Sequence, residues 1–195
     1  MPISTNLHDD IEQILITQGE LQARIQELAQ QVAADYDGKP LLLVGVLKGG
    51  VVFMTDLFRA LDRPVEMDFM AVSSYGASTT TSGIVRILKD LDGPIEKKHV
   101  LLVEDIVDSG LTLRYIAELL EGRNPASLKV CVLLDKGKAG DTGIEVAYLG
   151  FTIPDRFVVG YGLDYDQFYR NLPYVGVLKP SVYADGVPGG DGGYD

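Results

Sequence analysis

The stretch Val100-Leu-Leu-Val-Glu-Asp-Ile-Val-Asp-Ser-Gly-Leu-Thr112 decides the fold. It begins as a continuous apolar run, Val100 to Val103, the pattern of a strand buried on both faces of a parallel sheet. The run leads into two adjacent carboxylates, Glu104 and Asp105, and Asp108-Ser109-Gly110-Leu111-Thr112 then opens a helix that reads through to Glu121. Acids side by side at a strand end repel unless a cation or a set of hydroxyl groups fills the space between them. Ser109, Gly110 and Thr112 bring small side chains, close backbone approach and hydroxyls to a helix N-terminus, where a phosphate monoester is favoured. The segment therefore offers acids for sugar hydroxyls or a metal and, just beyond them, a phosphate cradle, which is the layout of a phosphorylated ribose. The plainer reading is a strand ending in solvated acids, with Asp108 as a helix N-cap.

The same alternation extends outward. Leu41 to Val46 and Leu128 to Leu134 are further unbroken apolar runs, and Val65–Ser74, Ile84–Leu88, Val146–Phe151, Phe157–Tyr161 and Val175–Leu178 read as strands. Thr17-Gln18-Gly19-Glu20 is a capping box. Behind it Leu21, Ile25, Leu28 and Val32 recur on one helical face, until Asp37-Gly38 and Pro40 stop the helix. Val51 to Leu61 reads as helix, and Tyr75 to Gly83 as a polar loop. Strand, loop and helix in alternation predict an α/β fold with a mainly parallel twisted sheet flanked by helices. Ligands of such sheets sit at the carboxyl ends of the strands.

Composition narrows the chemistry. A chain of 195 residues with 46% hydrophobic and 23% charged residues fits one globular domain. Against 17 Lys and Arg stand 28 Asp and Glu, a net charge of −11, which argues against nucleic-acid and membrane-surface partners. The one cysteine, Cys131, lies mid-strand and reads as core. Only His8 and His99 could serve a histidine-based site. The polar N-terminus lacks signal-peptide character and the apolar runs are too short to span a bilayer, so a cytoplasmic location is expected. No GxxxxGK[ST] occurs, and Ser109 lacks a GxSxG context.

Val103-Glu-Asp-Ile-Val-Asp-Ser-Gly-Leu-Thr112 resembles the phosphoribosyl-diphosphate motif of the type I phosphoribosyltransferases, and the other strand-end loops resemble the hypoxanthine-guanine branch of that family. The resemblance runs from about Ile11 to Tyr183. It implies transfer of a 5-phosphoribosyl group from phosphoribosyl diphosphate to hypoxanthine or guanine, with Mg2+ as cofactor and a homodimer or homotetramer as the assembly. It further implies a single domain over residues 1–184, with a core at about 38–150, a small hood from about 1–18 and 151–184, and a disordered tail at 185–195.

Residue by residue, the resemblance assigns Asp108 as the general base near the purine N7. Glu104 and Asp105 go to the ribose hydroxyls and metal, and Ser109, Gly110, Leu111 and Thr112 to the 5′-phosphate. Leu47-Lys48-Gly49-Gly50 matches the diphosphate loop, with Lys48 and Gly49 binding and a cis Leu47–Lys48 peptide. Ser74-Tyr75 begins the mobile lid. Lys136 would hydrogen-bond the 6-oxo group, since an ammonium donates to a carbonyl and cannot accept from an amine. In Ile153 to Asp164, Phe157 would stack on the purine, Val158 would read its edge through backbone atoms, and Asp164 would reach a second metal ion, while Arg170 reaches the diphosphate. Gly137-Lys138-Ala139-Gly140 departs from the family, standing where many members carry proline or arginines, so no role is carried over to it. A transferase for xanthine or uracil, and a regulator that senses the diphosphate, share the same fold.

Overall fold

Thr17 starts the first long helix by reciprocal bonding: its Oγ1 accepts from the Glu20 N–H at 3.3 Å, and Glu20 Oε2 accepts from the Thr17 N–H at 2.8 Å. The computed structural model describes residues 5–74 and 85–184. Tyr75, the rest of the expected lid loop and the tail from 185 lie outside them.

In chain order, a 3-10 turn at Leu7–Asp10 is followed by β1 (Ile11–Ile16), α1 (Gln18–Asp35), β2 (Leu41–Leu47), α2 (Val51–Ala60), β3 (Glu66–Ser74) and β4 (Val85–Lys89). Then come β5 (His99–Val107), α3 (Leu111–Glu121), β6 (Ser127–Asp135), a 3-10 turn at Ala139–Thr142, β7 (Val146–Thr152), β8 (Val158–Val159), β9 (Val175–Leu178) and α4 (Pro180–Tyr183). Six strands form one sheet in the order β4-β3-β2-β5-β6-β7, parallel throughout except for the β3–β4 pair. The mainly parallel α/β architecture is thus the one the alternation predicts. A second sheet, β1-β9-β8, is antiparallel and joins segments from the two ends of the chain.

The unbroken apolar strands are buried on both faces. Leu41 and Leu43 of β2 pack with Leu28 and Val32 of α1 and Phe53 and Leu57 of α2, whereas Leu42, Val44 and Val46 pack with Leu113, Ile116 and Leu120 of α3. Alternate side chains of one strand thereby feed two cores, which is why no polar residue interrupts it.

Four elements differ from the sequence-based expectation. Strand β5 runs on through Glu104 and Asp105 to Val107, because β6 runs on beside it and pairs Ile106 with Leu134 and Val107 with Asp135. The strand expected at Phe157–Tyr161 shrinks to Val158–Val159. Gly160 and Gly162 turn the chain there with φ of +98° and +103°, values that L side chains rarely adopt. Strand β1, with the polar pair Glu12-Gln13 near its centre, and α4 carry no pattern that the sequence reading found.

Cys131 sits in the core between Leu101, Val103 and Leu133, and burial pushes its thiol pKa up. Disulfide-exchange reagents are therefore expected to leave the native protein unlabelled and to titrate one thiol per chain once it is unfolded in denaturant. Rapid labelling of the folded protein would contradict this placement.

Candidate active site

Counted without its antiparallel edge, the large sheet has the order β3-β2-β5-β6-β7, so the chain leaves β2 for β3 on one side and later returns to β5 on the other. This reversal opens a crevice at the carboxyl ends of β2 and β5, the ordinary ligand position in a doubly wound sheet. Two loops meet in it. The turn after β2 carries Lys48, Gly49 and Gly50, and the Leu47–Lys48 peptide is cis. Opposite lies the end of β5 with Glu104 and Asp105. A Cβ placed on Gly49 would lie 1.8 Å from Asp105 Oδ2, and one on Gly162 would lie 2.1 Å from the Gly49 carbonyl oxygen. Glycine is needed at both positions so that three chain segments can close on the carboxylate.

The acids sit where acids are costly. Asp105 is buried, with Oδ1 accepting from the Ile106 N–H at 2.9 Å. Burial pushes its pKa up to about 6, against opposing pulls from the Ile106 N–H and from Arg170. The Glu104 carboxyl is held well above its usual range, first by burial and then by Asp105 beside it. Its Oε2 is buried and has no hydrogen-bond partner among the described residues. Among the described residues no protein group satisfies Glu104 Oε2, the condition in which a cation or donor-rich ligand is favoured.

Beyond the acids, α3 begins without a side-chain cap. Its N-cap is Gly110, at φ +73°, and Ser109 Oγ reaches the Leu111 N–H at only 3.5 Å. Ser109 and Leu111 are exposed and Thr112 is half-buried, and the first N–H groups of a helix, which lack partners within it, suit an anion. Asp108 is therefore not the helix cap. Its carboxylate instead meets Lys136 Nζ at 3.5 Å and Lys138 Nζ at 3.3 Å. Sheet register causes the meeting: Val107 pairs with Asp135 and Asp135 with Thr152, so the residues just past β5, β6 and β7 emerge side by side. Asp155 joins from the third of these, 3.6 Å from Lys136 Nζ and 3.0 Å from Lys138 Nζ.

The small sheet supplies the adjoining wall. Phe157 is half-buried, edge-on to Tyr165 at 5.8 Å and tilted against Tyr183 at 5.1 Å between ring centroids. The Val158 side chain is fully buried, but β8 is an edge strand. The Phe157 carbonyl accepts from Leu178 N–H at 3.1 Å, so the adjacent backbone groups of Val158 point away from β9 toward the open edge. Arg170 donates to the Gly162 carbonyl and to Asp164 Oδ1, both at 2.8 Å, while Asp164 Oδ2 accepts from the Gln167 N–H at 2.8 Å. Lys48 Nζ donates to Gln167 Oε1 at 3.0 Å. Ser74 ends β3, and its partner in the expected lid, Tyr75, lies outside the described residues.

Sequence reasoning missed Lys138, Asp155, Gln167 and the two tyrosines around Phe157. The tyrosines carried no periodic signal, and Lys138 lay in the segment that departs from the family pattern. Asp155 lies within the Ile153–Asp164 segment, but its pairing depends on register between strands that sequence does not display.

Residues 11–166 match the phosphoribosyl transferase domain. The chain is 56% identical over 180 residues to a hypoxanthine-guanine phosphoribosyltransferase of Mycobacterium tuberculosis, covering 89% of each. It is also similar to a bifunctional protein TilS/HprT of Listeria innocua, 51% identical over 92% of this chain but only 28% of that longer protein. A crystal structure of a hypoxanthine phosphoribosyltransferase from Staphylococcus aureus superposes with a TM-score of 0.87 at 49% identity, covering 92% of this chain and 99% of the other. A domain match spanning most of the chain, with identity of this order over nearly its whole length, settles the kinship: the chain belongs to the phosphoribosyl transferase domain family.

Proposed function

We propose that the protein is a purine-salvage enzyme, which transfers the 5-phosphoribosyl group of phosphoribosyl diphosphate to N9 of hypoxanthine or guanine, releasing diphosphate and the purine nucleotide. The observation that carries this reading is the acidic pair of an unsatisfied Glu104 Oε2 and a buried Asp105, with the Gly49 turn against Asp105 and the uncapped start of α3 a few residues beyond. One ligand with a diol, a diphosphate and a monoester uses all three. The curated relatives' names support the same activity, and Lys136 supports the choice of base.

In the reaction the C1′–oxygen bond to diphosphate breaks and a C1′–N9 bond forms, with positive charge on the ribose between the two events. Catalysis then rests on orientation and on negative groups placed near that charge. Glu104 and Asp105 would orient the ribose hydroxyls, and Lys48, the Gly49 backbone and Arg170 would hold the diphosphate. Ser109, Gly110, Leu111 and Thr112 would bind the monoester through backbone N–H groups and hydroxyls. Asp108 would take the proton from N7 as N9 bonds to carbon. Phe157 would offer its ring to the purine, and the open-edge backbone of Val158 its hydrogen bonds.

Mg2+ fits the residues present. No group of three or more His, Cys, Asp or Glu side chains suited to a metal occurs among the described residues, and magnesium favours one or two carboxylates completed by substrate oxygens and water. The orphaned Glu104 Oε2 and the raised Asp105 are the groups that would hold it, with Asp164 contributing lone pairs not used by Arg170 and Gln167. When bound it would neutralise charge on the departing diphosphate. Among the described residues no helix is long and apolar enough to cross a membrane. A homodimer or homotetramer in the cytoplasm completes the proposal, the assembly being what the family resemblance implies.

Incubating the protein with phosphoribosyl diphosphate, magnesium and each of hypoxanthine, guanine, adenine and uracil should give nucleotide from the first two only. Lys136→Gln should lower kcat/KM for both about tenfold to hundredfold, the cost of a charge-assisted hydrogen bond. Turnover of adenine or uracil alone would overturn the assignment. Asp108→Asn should lower kcat by about a hundredfold or more while leaving phosphoribosyl diphosphate affinity within about twofold, as expected for loss of a general base. Unchanged turnover would remove Asp108 from that role.

A further inference from the structure

Past the ends of β5, β6 and β7 four charged side chains alternate: Asp108, Lys136, Asp155 and Lys138. Each carboxylate gives one oxygen to each lysine, yet the two lysines are held unequally. Lys136 Nζ stands 3.5 Å from Asp108 Oδ2 and 3.6 Å from Asp155 Oδ1, longer than the 2.7–2.9 Å of a strong ammonium–carboxylate bond. Lys138 Nζ makes the closer pairs, 3.0 Å to Asp155 Oδ2 and 3.3 Å to Asp108 Oδ1. The polypeptide aims Lys138 deliberately. Gly137 turns at φ +79°, and Asp135 Oδ1 accepts from the N–H groups of both Lys138 and Ala139, at 2.9 and 3.0 Å. Lys138 thus swings back over the strand ends. Its ammonium pKa is raised, first by its bond to Asp155 and then by that to Asp108, and the Asp155 carboxyl is lowered first by Lys138.

The side chains of Lys138 and Asp155 are 38% and 59% exposed, and ion pairs so open to water contribute little to fold stability. Their effect falls instead on Lys136, whose side chain is only 6% exposed. We propose that Lys138 is a positioning residue which occupies Asp155 and shares Asp108, so that the Lys136 ammonium is left weakly held and free to donate to the purine. Without Lys138, two carboxylates would compete for one ammonium, and the base would have to win it from both. Removing Asp155 as well would restore one acid to one lysine. This rests on the proposed role of Lys136 in base recognition.

Steady-state kinetics with hypoxanthine varied at saturating phosphoribosyl diphosphate and magnesium test it. Lys138→Ala should raise the KM for hypoxanthine about tenfold, with kcat within about threefold and the KM for phosphoribosyl diphosphate unchanged. Lys138→Arg should keep the hypoxanthine KM within about threefold of the parent, because a guanidinium can also span the two acids. The telling variant is the pair Lys138→Ala with Asp155→Ala, in which the hypoxanthine KM should fall back to within about threefold of the parent. A residue that merely shapes the loop would not be rescued by removing its partner. A hypoxanthine KM unchanged in Lys138→Ala, or no better in the double variant, overturns the proposal while parental activity stands. A parent protein that forms no nucleotide from any base fails the underlying functional reading, and this inference with it.

Discussion

Two consecutive acids at the end of β5, one buried and the other with an unsatisfied buried oxygen, are the constraint around which the rest of the molecule is arranged. Glu104 and Asp105 come to the mouth of the sheet because β5 and β6 stay paired beyond the point where the apolar run stops. Once there Asp105 meets backbone rather than solvent, since Gly49 lies against it and Gly162 against Gly49. Among the described residues Glu104 Oε2 has no partner, and burial raises the pKa of both acids, so keeping them ionised here is costly. Groups perturbed in this way cluster at functional sites. In the proposed function the cleft is completed by a ligand rich in donors and positive charge.

In the proposed function the sheet distributes three kinds of recognition around this centre. Backbone amides at the start of α3 and in the Gly49 turn suit phosphate oxygens, which need many donors and no side-chain chemistry. The emergent ends of β5, β6 and β7 gather alternating lysines and aspartates, where a carbonyl and a proton can be handled together. The small antiparallel sheet presents an unpaired edge at Val158 beside an aromatic cluster, giving flat packing and backbone hydrogen bonds on the same wall. Each part depends on strand register, so a slip of one residue in β6 would separate Asp108 from Lys136 and Lys138.

The large sheet was legible in the sequence because its strands are buried on both faces, and uninterrupted apolar runs such as Leu41–Val46 state that burial directly. The helix at Thr17 was legible for an equally local reason, a four-residue cap. The small sheet was harder. Only Ile16 of β1 is buried, and β8 has just two residues, so tertiary pairing rather than pattern defines them. In the site, the order of acids, small residues and hydroxyls along β5 and α3 announced itself. Lys138 and Asp155 did not, because ion pairs between loops are made by register and by the left-handed turn at Gly137, neither of which has a sequence period.

The central claim, that the buried acids and the adjoining helix start together hold an activated sugar phosphate, is tested most directly by titration calorimetry. Phosphoribosyl diphosphate injected into the protein at millimolar magnesium should give a saturable heat with one site per chain. That heat should be lost when magnesium is chelated, and lost again in a variant with both Glu104→Gln and Asp105→Asn. No heat from the parent protein, or equal binding by the variant that lacks both acids, would contradict the account.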